Sequence, residues 1–319
     1  MRKFAALALV LALTGCSAQE PAPTITPVST KYCALSDSAG FDDDGLNRSV
    51  YTALQQLKVQ KGAPVVALEV GDKLSADAGF AKLVEDKCEA VISTGDSLAK
   101  PTLSAAKANP TIRFVSVSNN FKSEDSAPNF VALTFNIYQA AFAAGYLAAS
   151  MTLDENETAV LNVKKNLEAK KSAKAFAAGV ARFNQLKNAD VRVTSLDTIN
   201  DAWQDVVFVI AGNSSQMGEW NRSDTGALKL IKLIGYGRDW YVDVRNKEFK
   251  QFILTSVVRN DVVGKVVAAV IDGAASADFN LTNEGVGLTP AQDLDWPTAY
   301  ASAFERIVNE LADGKLKVE

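Results

Sequence analysis

Strand-like and helix-like segments alternate along this chain from residue 31 onwards, and this alternation constrains the fold more than any other feature. Short apolar runs typical of buried strands occur at 31–35, 65–70, 90–93 and 112–117. Segments with apolar residues at helical spacing separate them at 47–58, 76–87 and 101–108, the last opened by a proline. Because strands that alternate with helices form parallel sheets, the sequence predicts an α/β fold with each sheet covered by helices on both faces.

A second, shorter α/β series follows a strand predicted at 129–135 and an Ala- and Gly-rich helix predicted at 138–151. We expect this helix to pack closely against another element. Further strands are predicted at 158–163, 191–196, 206–211, 230–236 and 252–258. Further helices are predicted at 172–186, 262–274 and 300–311. The chain is long enough for two lobes with separate cores, with a crossover expected near 135–137 and a return near 257–260.

The amino terminus has the features of a bacterial lipoprotein signal. Arg2 and Lys3 precede an apolar run at 4–13, which is too short to span a bilayer and ends in Leu-Thr-Gly before Cys16. We therefore predict a signal peptide at 1–15, a lipidated Cys16 and a Pro/Ser/Thr-rich tether at 16–30. The expected location is the extracytoplasmic face of the cell membrane, with a lipid anchor. The alternative is an uncleaved secretory signal with an ordinary cysteine.

Two further cysteines, Cys33 and Cys88, remain in the exported part, where disulfides persist. Cys33 lies in the first predicted strand and Cys88 just before the third, and these strands are neighbours in a common doubly wound strand order. We predict a Cys33–Cys88 disulfide. The alternative is two buried free thiols.

Composition excludes several kinds of catalysis. The chain has no histidine, which removes Ser-His-Asp and Cys-His nucleophiles and every histidine metal site. It also lacks a CxxC pair, a P-loop and the dinucleotide fingerprint, so no cofactor or metal is predicted. After loss of the signal, 31 basic residues face 37 acidic ones without a block of like charge, which does not favour nucleic acid as a partner. We expect a monomer.

An acidic turn between the first strand and the first helix is the clearest candidate site. It runs from Asp37 to Asn47 and includes three consecutive aspartates at 42–44. Ligands of open α/β sheets bind at the carboxyl ends of strands, where a carboxylate accepts hydrogen bonds and an asparagine offers both donor and acceptor. The alternative is a solvated turn in which Asn47 or Asp44 caps the helix.

Five motifs, in order, resemble those of the basic membrane protein family, the purine-nucleoside receptor group of ABC-transporter substrate-binding lipoproteins. The acidic turn resembles the family's opening D-x-G-G-x-x-D-D-x-S-F-N. The other four are N-P-T-I-R-F at 109–114, F-A-A-G-Y-L-A-A at 142–149, I-L-T-S at 253–256 and D-G-K-L-K-V at 313–318.

The resemblance implies a two-lobed, type I periplasmic-binding-protein-like fold that closes on one ligand, with ABC permease subunits as partners. Lobe 1 is then expected from 31–136 and 259–290, and lobe 2 from 137–258, with 291–319 in lobe 2 or packed at the hinge. The expected ligand is a nucleoside or a similar small polar molecule.

The resemblance also implies site residues. Asp37 and Asn47 fall on the family's contacts to the base, and Leu46 replaces its stacking phenylalanine. Asp239 retains one of two acidic ribose contacts, the other being Gly237, and Arg259 replaces a lysine.

Other positions depart from the family pattern. The aspartate expected after the fourth strand is replaced by Ser118 and Asn119, and the helix expected between residues 196 and 206 is largely missing. Trp220, Tyr236 and Trp240 could supply replacement stacking surfaces, although such aromatics more often pack in a core. Two other functions remain open: an exported hydrolase that uses two carboxylates, and a ligand sensor without a role in transport.

Overall fold

The computed structural model describes residues 30–43, 45–119, 126–152, 157–162, 167–197, 204–210, 231–244, 247–290 and 298–318. The predicted signal peptide, the predicted tether up to residue 29, Cys16, Asp44 and Trp220 lie outside these residues. None of the described helices has the length and apolar character needed to cross a bilayer.

Lobe 1 is built on a parallel sheet of six described strands. They are β1 (Tyr32–Ser36), β2 (Val65–Glu69), β3 (Ala90–Thr94), β4 (Arg113–Ser118), β5 (Phe130–Phe135) and β11 (Ala277–Phe279). Their order across the sheet is β11-β5-β4-β3-β1-β2. The helices of this lobe are α1 (Leu46–Lys61), α2 (Ala76–Glu85), α3 (Ala99–Ala108) and α8 (Val262–Ile271), with a 3₁₀ turn at Asp96–Leu98.

Lobe 2 repeats the arrangement. Its described strands are β6 (Glu157–Asn162), β7 (Arg192–Leu196), β8 (Val206–Ile210), β9 (Lys232–Gly237), β10 (Ile253–Arg259) and β12 (Val286–Pro290). Their order is β12-β10-β9-β8-β6-β7, with β12 antiparallel to β10. The helices are α4 (Ile137–Met151), α5 (Leu167–Lys187), α6 (Trp240–Asp243), α7 (Lys247–Lys250) and α9 (Thr298–Ala312).

Most elements form where the apolar pattern predicts them, but α5 begins five residues before its predicted start, and the short helices α6 and α7 were not predicted. Helix α1 buries Val50, Leu54 and Leu57 on one face and ends at Gly62, whose φ of 61° is the left-handed conformation that favours glycine. Helix α3 begins two residues earlier than predicted, so that Pro101 lies within its first turn, where a missing N–H costs little.

Two strands were not predicted. Strand β11 has only three residues, although the alternation of apolar and polar residues over 277–281 is a strand signal that could have indicated it. Strand β12 lies within 259–290, the segment that the sequence placed in lobe 1, yet it pairs with β10 in the lobe 2 sheet. Its position depends on hydrogen bonds to β10, which a periodic pattern does not encode.

Cys33 and Cys88 form a disulfide, with 5.9 Å between their Cα atoms. Strand β1 lies between β2 and β3, and Tyr32 of β1 is aligned with Ala90 of β3. This alignment brings Cys88, two residues before β3, beside Cys33.

Within the described residues the chain passes between the lobes three times, and hydrogen bonds connect these passages. Asn136 N, before α4, donates to Phe279 O at 2.7 Å. Asn260, after β10, donates through its backbone N to Gly285 O at 2.9 Å and through Nδ2 to Glu284 O at 2.7 Å. The three passages are therefore bonded to one another and form a single hinge region.

Candidate functional site

Residues that follow the carboxyl ends of strands in both sheets approach one another between the lobes. Asp37 follows β1, Asp96 follows β3 and Asn119 follows β4 in lobe 1. Tyr236 and Arg259 lie at the ends of β9 and β10 in lobe 2. Hydrogen bonds and an ion pair link the last three of these residues to Glu168, at the start of α5, and Asn119 N donates to Asp96. This interlobe cleft is the site that the topology of open α/β sheets predicts.

Asp37 and Asn47 are hydrogen-bonded to each other on the lobe 1 side. Asn47 Nδ2 donates to Asp37 Oδ1 at 2.8 Å, and Ala39 N donates to the same oxygen at 3.1 Å. The Asn47 side chain is buried, with 2% of the residue exposed. The sequence analysis paired these two residues as ligand contacts, and the structure places them in direct contact.

Asn47 does not cap helix α1. The cap position is Gly45, and Asp43 Oδ1 accepts hydrogen bonds from Gly45 N at 3.1 Å and from Arg48 N at 2.9 Å. Asp43 therefore accepts the hydrogen bonds at the start of α1 that the alternative hypothesis assigned to Asn47 or Asp44. Asp42, by contrast, has a side chain that is 99% exposed. The acidic turn thus contains carboxylates with different environments, and Asp37 is the one that Asn47 orients.

The loop after β3 passes directly beside the Asp37 carboxylate. Gly95 has a φ of 110°, and a Cβ added there would lie 2.3 Å from Asp37 Oδ2. Asp37 N also donates to Thr94 O at 3.1 Å. A side chain at position 95 would strain the backbone and collide with the Asp37 carboxylate, so the close approach of the two strand ends requires Gly95.

Glu168 is the centre of the polar network on the lobe 2 side. Its Oε2 lies 2.8 Å from Arg259 Nη2 and accepts a hydrogen bond from Asn119 Nδ2 at 2.8 Å. Its Oε1 accepts from Tyr236 OH at 2.7 Å, and that hydroxyl is 2.8 Å from Ser172 Oγ. The Asn119 bond crosses from lobe 1 to lobe 2, so the two walls of the cleft are in direct contact.

Burial and charge act in opposite directions on Glu168. Burial favours the neutral acid, but the positive charge of Arg259 and the hydrogen bonds from Tyr236 and Asn119 outweigh it and lower the pKa of Glu168 below its ordinary value. The Arg259 side chain is 3% exposed, and the Glu168 carboxylate raises its pKa further despite that burial. Both groups are ionised at neutral pH.

Asp96 and Tyr138 complete the lobe 1 wall and the cleft floor. Asn119 N donates to Asp96 Oδ1 at 2.7 Å. Burial raises the pKa of Asp96, against the effect of this hydrogen bond. Burial also raises the pKa of Tyr138, near the start of α4, and the carboxylates of Asp96 and Glu168 add to the shift. The two groups therefore belong to one electrostatic environment with Glu168.

The remaining predicted residues have structural contacts. Leu46 is the first residue of α1, buried in the apolar core of lobe 1. Asp239 caps α6, its Oδ1 accepting from Tyr241 N at 3.0 Å. Trp240 is 2% exposed and lies against β9, where a Cβ at Gly235 would meet its ring at 2.4 Å. Trp240 is thus a core residue, whereas Tyr236 contributes to the cleft through its hydroxyl.

A profile of known protein families identifies the chain. The family described as ABC transporter substrate-binding protein PnrA-like matches residues 30–207, which is more than half of the sequence. The chain belongs to this family. As a PnrA-like substrate-binding protein it binds a small-molecule ligand for permease partners and is not an enzyme, which removes the hydrolase hypothesis.

Solved structures agree with this assignment at the level of fold. A solute-binding protein of an ABC transporter system from Aeropyrum pernix is 16% identical, with a TM-score of 0.70, over 90% of this chain and 92% of that one. A solute-binding protein of an ABC transporter system from Conexibacter woesei is also 16% identical, with a TM-score of 0.63, over 91% and 99% of the two chains. A comparison with curated proteins found no significant match. The PnrA-like protein therefore has the predicted two-lobed periplasmic-binding-protein-like fold.

Sequence reasoning missed Glu168 and Asp96 altogether. Asp96 follows a buried strand and a glycine, the position at which ligand contacts of α/β sheets are expected, so its signal was present. Glu168 carries no such signal, because it lies in a polar stretch at the beginning of a helix. Only its proximity to Asn119, Tyr236 and Arg259 identifies it as part of the cleft of this PnrA-like protein.

Proposed function

We propose that this PnrA-like protein captures a nucleoside, or a similar small polar solute, between its lobes and delivers it to the permease. The Asp37–Asn47 pair carries the proposal. Asn47 fixes one carboxylate oxygen at 2.8 Å and leaves the other beside Gly95, as a single acceptor at the end of β1. A fixed carboxylate of this kind suits the N–H or O–H groups of a nucleobase or sugar.

A thermal-unfolding screen tests this proposal. Residues 17–319, which include every described residue, would be unfolded in the presence of adenosine, guanosine, inosine, the pyrimidine nucleosides and free sugars. A solute present at 100 times its dissociation constant adds about 2.7 kcal/mol to the free energy of unfolding. If none of the nucleosides moves the unfolding midpoint, nucleoside binding is wrong.

Substitution of Asp37 then locates the site. We expect Asp37→Ala to abolish the midpoint shift of whichever nucleoside binds, because the acceptor at the end of β1 is lost. Asp42→Ala is the matched control, since Asp42 lies in the same turn but its side chain is 99% exposed. The control should keep the full shift. Equal binding by both variants would place the site elsewhere.

We also propose that the protein is a lipoprotein anchored through Cys16 on the extracytoplasmic face of the membrane. The tripeptide before Cys16 and the short apolar run at 4–13 support this proposal. Several acyl chains hold a protein on a membrane firmly, whereas one holds it only marginally. Mass spectrometry of the purified amino terminus should find an acylated Cys16, and an unmodified Met1 would contradict the proposal.

A further inference from the structure

Arg259 is a buried cation of the cleft, and it is already paired with the carboxylate of Glu168. Arg259 ends β10 with a side chain that is 3% exposed, and its Nη2 lies 2.8 Å from Glu168 Oε2. A buried guanidinium is the group that most strongly attracts carboxylates and phosphates in proteins. In this protein the Glu168 carboxylate already lies beside the guanidinium, where the carboxylate or phosphate of a ligand would bind.

Two hydrogen bonds and an ion pair hold the Glu168 carboxylate in place. Asn119 reaches Oε2 from lobe 1, Tyr236 reaches Oε1 from β9, and Arg259 supplies the opposite charge. An anionic ligand would have to displace a carboxylate held by all three groups. A further carboxylate, that of Asp96, lies beside Asn119, whose backbone N donates to Asp96 Oδ1 at 2.7 Å.

The same network leaves several buried polar atoms for an uncharged ligand. Among the buried side-chain atoms of the described residues that have no hydrogen-bond partner are Arg259 Nε and Nη2, Asn119 Oδ1 and Thr94 Oγ1, so the contact of Arg259 with Glu168 is an ion pair. Buried polar atoms without partners are uncommon, and each costs stability until it is satisfied. The Arg259 donors suit a carbonyl of a neutral solute, the Asn119 acceptor suits an amide N–H, and the Thr94 hydroxyl suits a hydroxyl group.

We propose that Glu168 sets the charge selectivity of the cleft: by pairing with Arg259 it makes the site accept uncharged solutes and reject their phosphorylated or carboxylated forms. This inference rests on the proposed role of the cleft as the solute-binding site. It assigns to Glu168 a specificity that follows from its position between Asn119, Tyr236 and Arg259. Removal of its charge should convert Arg259 into an anion site.

The test compares E168Q with the wild-type mature chain. Binding of inosine, inosine 5′-monophosphate and inorganic phosphate would be measured by calorimetry in a low-chloride buffer. We expect E168Q to bind both anions, with a dissociation constant for the monophosphate lower than that of the wild type by about tenfold or more, since a hydrogen bond to a charged group has this size. The wild type should show no binding of either anion at the concentrations at which E168Q binds both. The unfolding midpoint of E168Q should also fall without anion and recover with millimolar phosphate.

A matched control exists in the same lobe. Glu310 pairs with Arg182 at 2.9 Å, with side chains 20% and 25% exposed, and Arg182 lies about 21 Å along α5 from Glu168. E310Q removes the same charge from the same type of ion pair and should gain no anion binding. The double variant E168Q/R259Q should lose the gain, which assigns it to Arg259.

The outcomes separate this inference from the proposed function. Wild-type binding of the monophosphate as tight as that of inosine would overturn the role of Glu168, as would an E168Q variant that gains no anion. If E168Q gains phosphate binding but no nucleoside binds either protein, the nucleoside proposal fails and the assignment of Glu168 stands.

Discussion

Glu168 and Asp96 lie on opposite walls of the cleft, and burial acts on both carboxyls. Burial raises the pKa of Asp96 because its hydrogen bond from Asn119 N and the more distant charges do not compensate. Arg259, only 2.8 Å from Glu168, more than compensates there, and the pKa of Glu168 is lowered. At the scale of single residues, the nearest partner therefore decides which acid stabilises the folded protein at neutral pH.

The opposite shifts predict a pH dependence. Because the pKa of Glu168 is lower in the folded protein, its charge contributes stability that is fully present above the unfolded value of about 4.3 and is lost as the pH falls through the folded value. The contribution of Asp96 to stability has the opposite sign: its raised pKa means that the buried charge destabilises the folded protein at neutral pH, and protonation at acid pH removes this cost. The difference in unfolding free energy between wild type and E168Q should thus be largest above about pH 5 and shrink below it.

Urea unfolding of both proteins between pH 7 and pH 3.5 measures this difference. Asp96, Tyr236 and Arg259 are present in both proteins, so their contributions largely cancel. A difference that stays constant or grows towards acid pH would show that the Glu168 charge is not stabilising.

The Ala- and Gly-rich segment at 137–151 forms helix α4, whose small residues allow close packing against helix α5. A Cβ added at Gly145 would lie 1.9 Å from Phe176 O, and one added at Gly179 would lie 2.0 Å from Phe142 O. Each glycine therefore faces the backbone of the other helix. At the scale of elements, this contact positions the start of α5, and with it Glu168, relative to the cleft.

Gly145→Ala should destabilise the protein by about 3 kcal/mol or more, because backbone atoms cannot move aside as a flexible side chain can. The intrinsic helix preference of alanine, about 1 kcal/mol, is too small to offset the clash. Gly71→Ala is the control, since nothing lies within 4 Å of its added Cβ, and it should change stability by less than about 0.5 kcal/mol. Chemical unfolding of the three proteins checks both values, and a Gly145→Ala variant as stable as the control would contradict the packing argument.

In the part of the chain that the structure describes, two sheets are joined by three passages, and the side chains of Asn119 and Glu168 are in contact across the cleft. Asn119 follows β4 of lobe 1 and donates to Glu168 of lobe 2 at 2.8 Å. The passages themselves are bonded through Asn136, Asn260 and Gly285. Hinge closure of this kind is a common way for binding proteins to enclose a ligand, and the Asn119 contact favours the closed arrangement.

Asn119→Ala should shift the lobes towards an open arrangement. A hydrogen bond to a charged group contributes about 1.5 kcal/mol or more, so the closed fraction relative to the open one should fall by about tenfold. Small-angle X-ray scattering should report a larger radius of gyration than in the wild type. Asn109→Ala is the control, because the Asn109 amide donates to Ala105 O within lobe 1. An unchanged radius in Asn119→Ala would mean that the hinge alone sets the closure.

The amino-acid pattern by itself determined most elements of both sheets, because buried parallel strands are continuous apolar runs and the covering helices repeat every 3.6 residues. It also singled out Asp37 and Asn47, in the acidic turn and helix start that follow the first strand, whereas Arg259 was predicted from the family resemblance. Only the tertiary structure decided the partners: β11 and β12 exist because neighbouring strands accept them, and Asp239 and Trp240 have structural contacts as a helix cap and a core residue. Glu168 entered the cleft for the same reason, since the contact between α4 and α5 and the approach of two sheets bring together residues far apart in the chain.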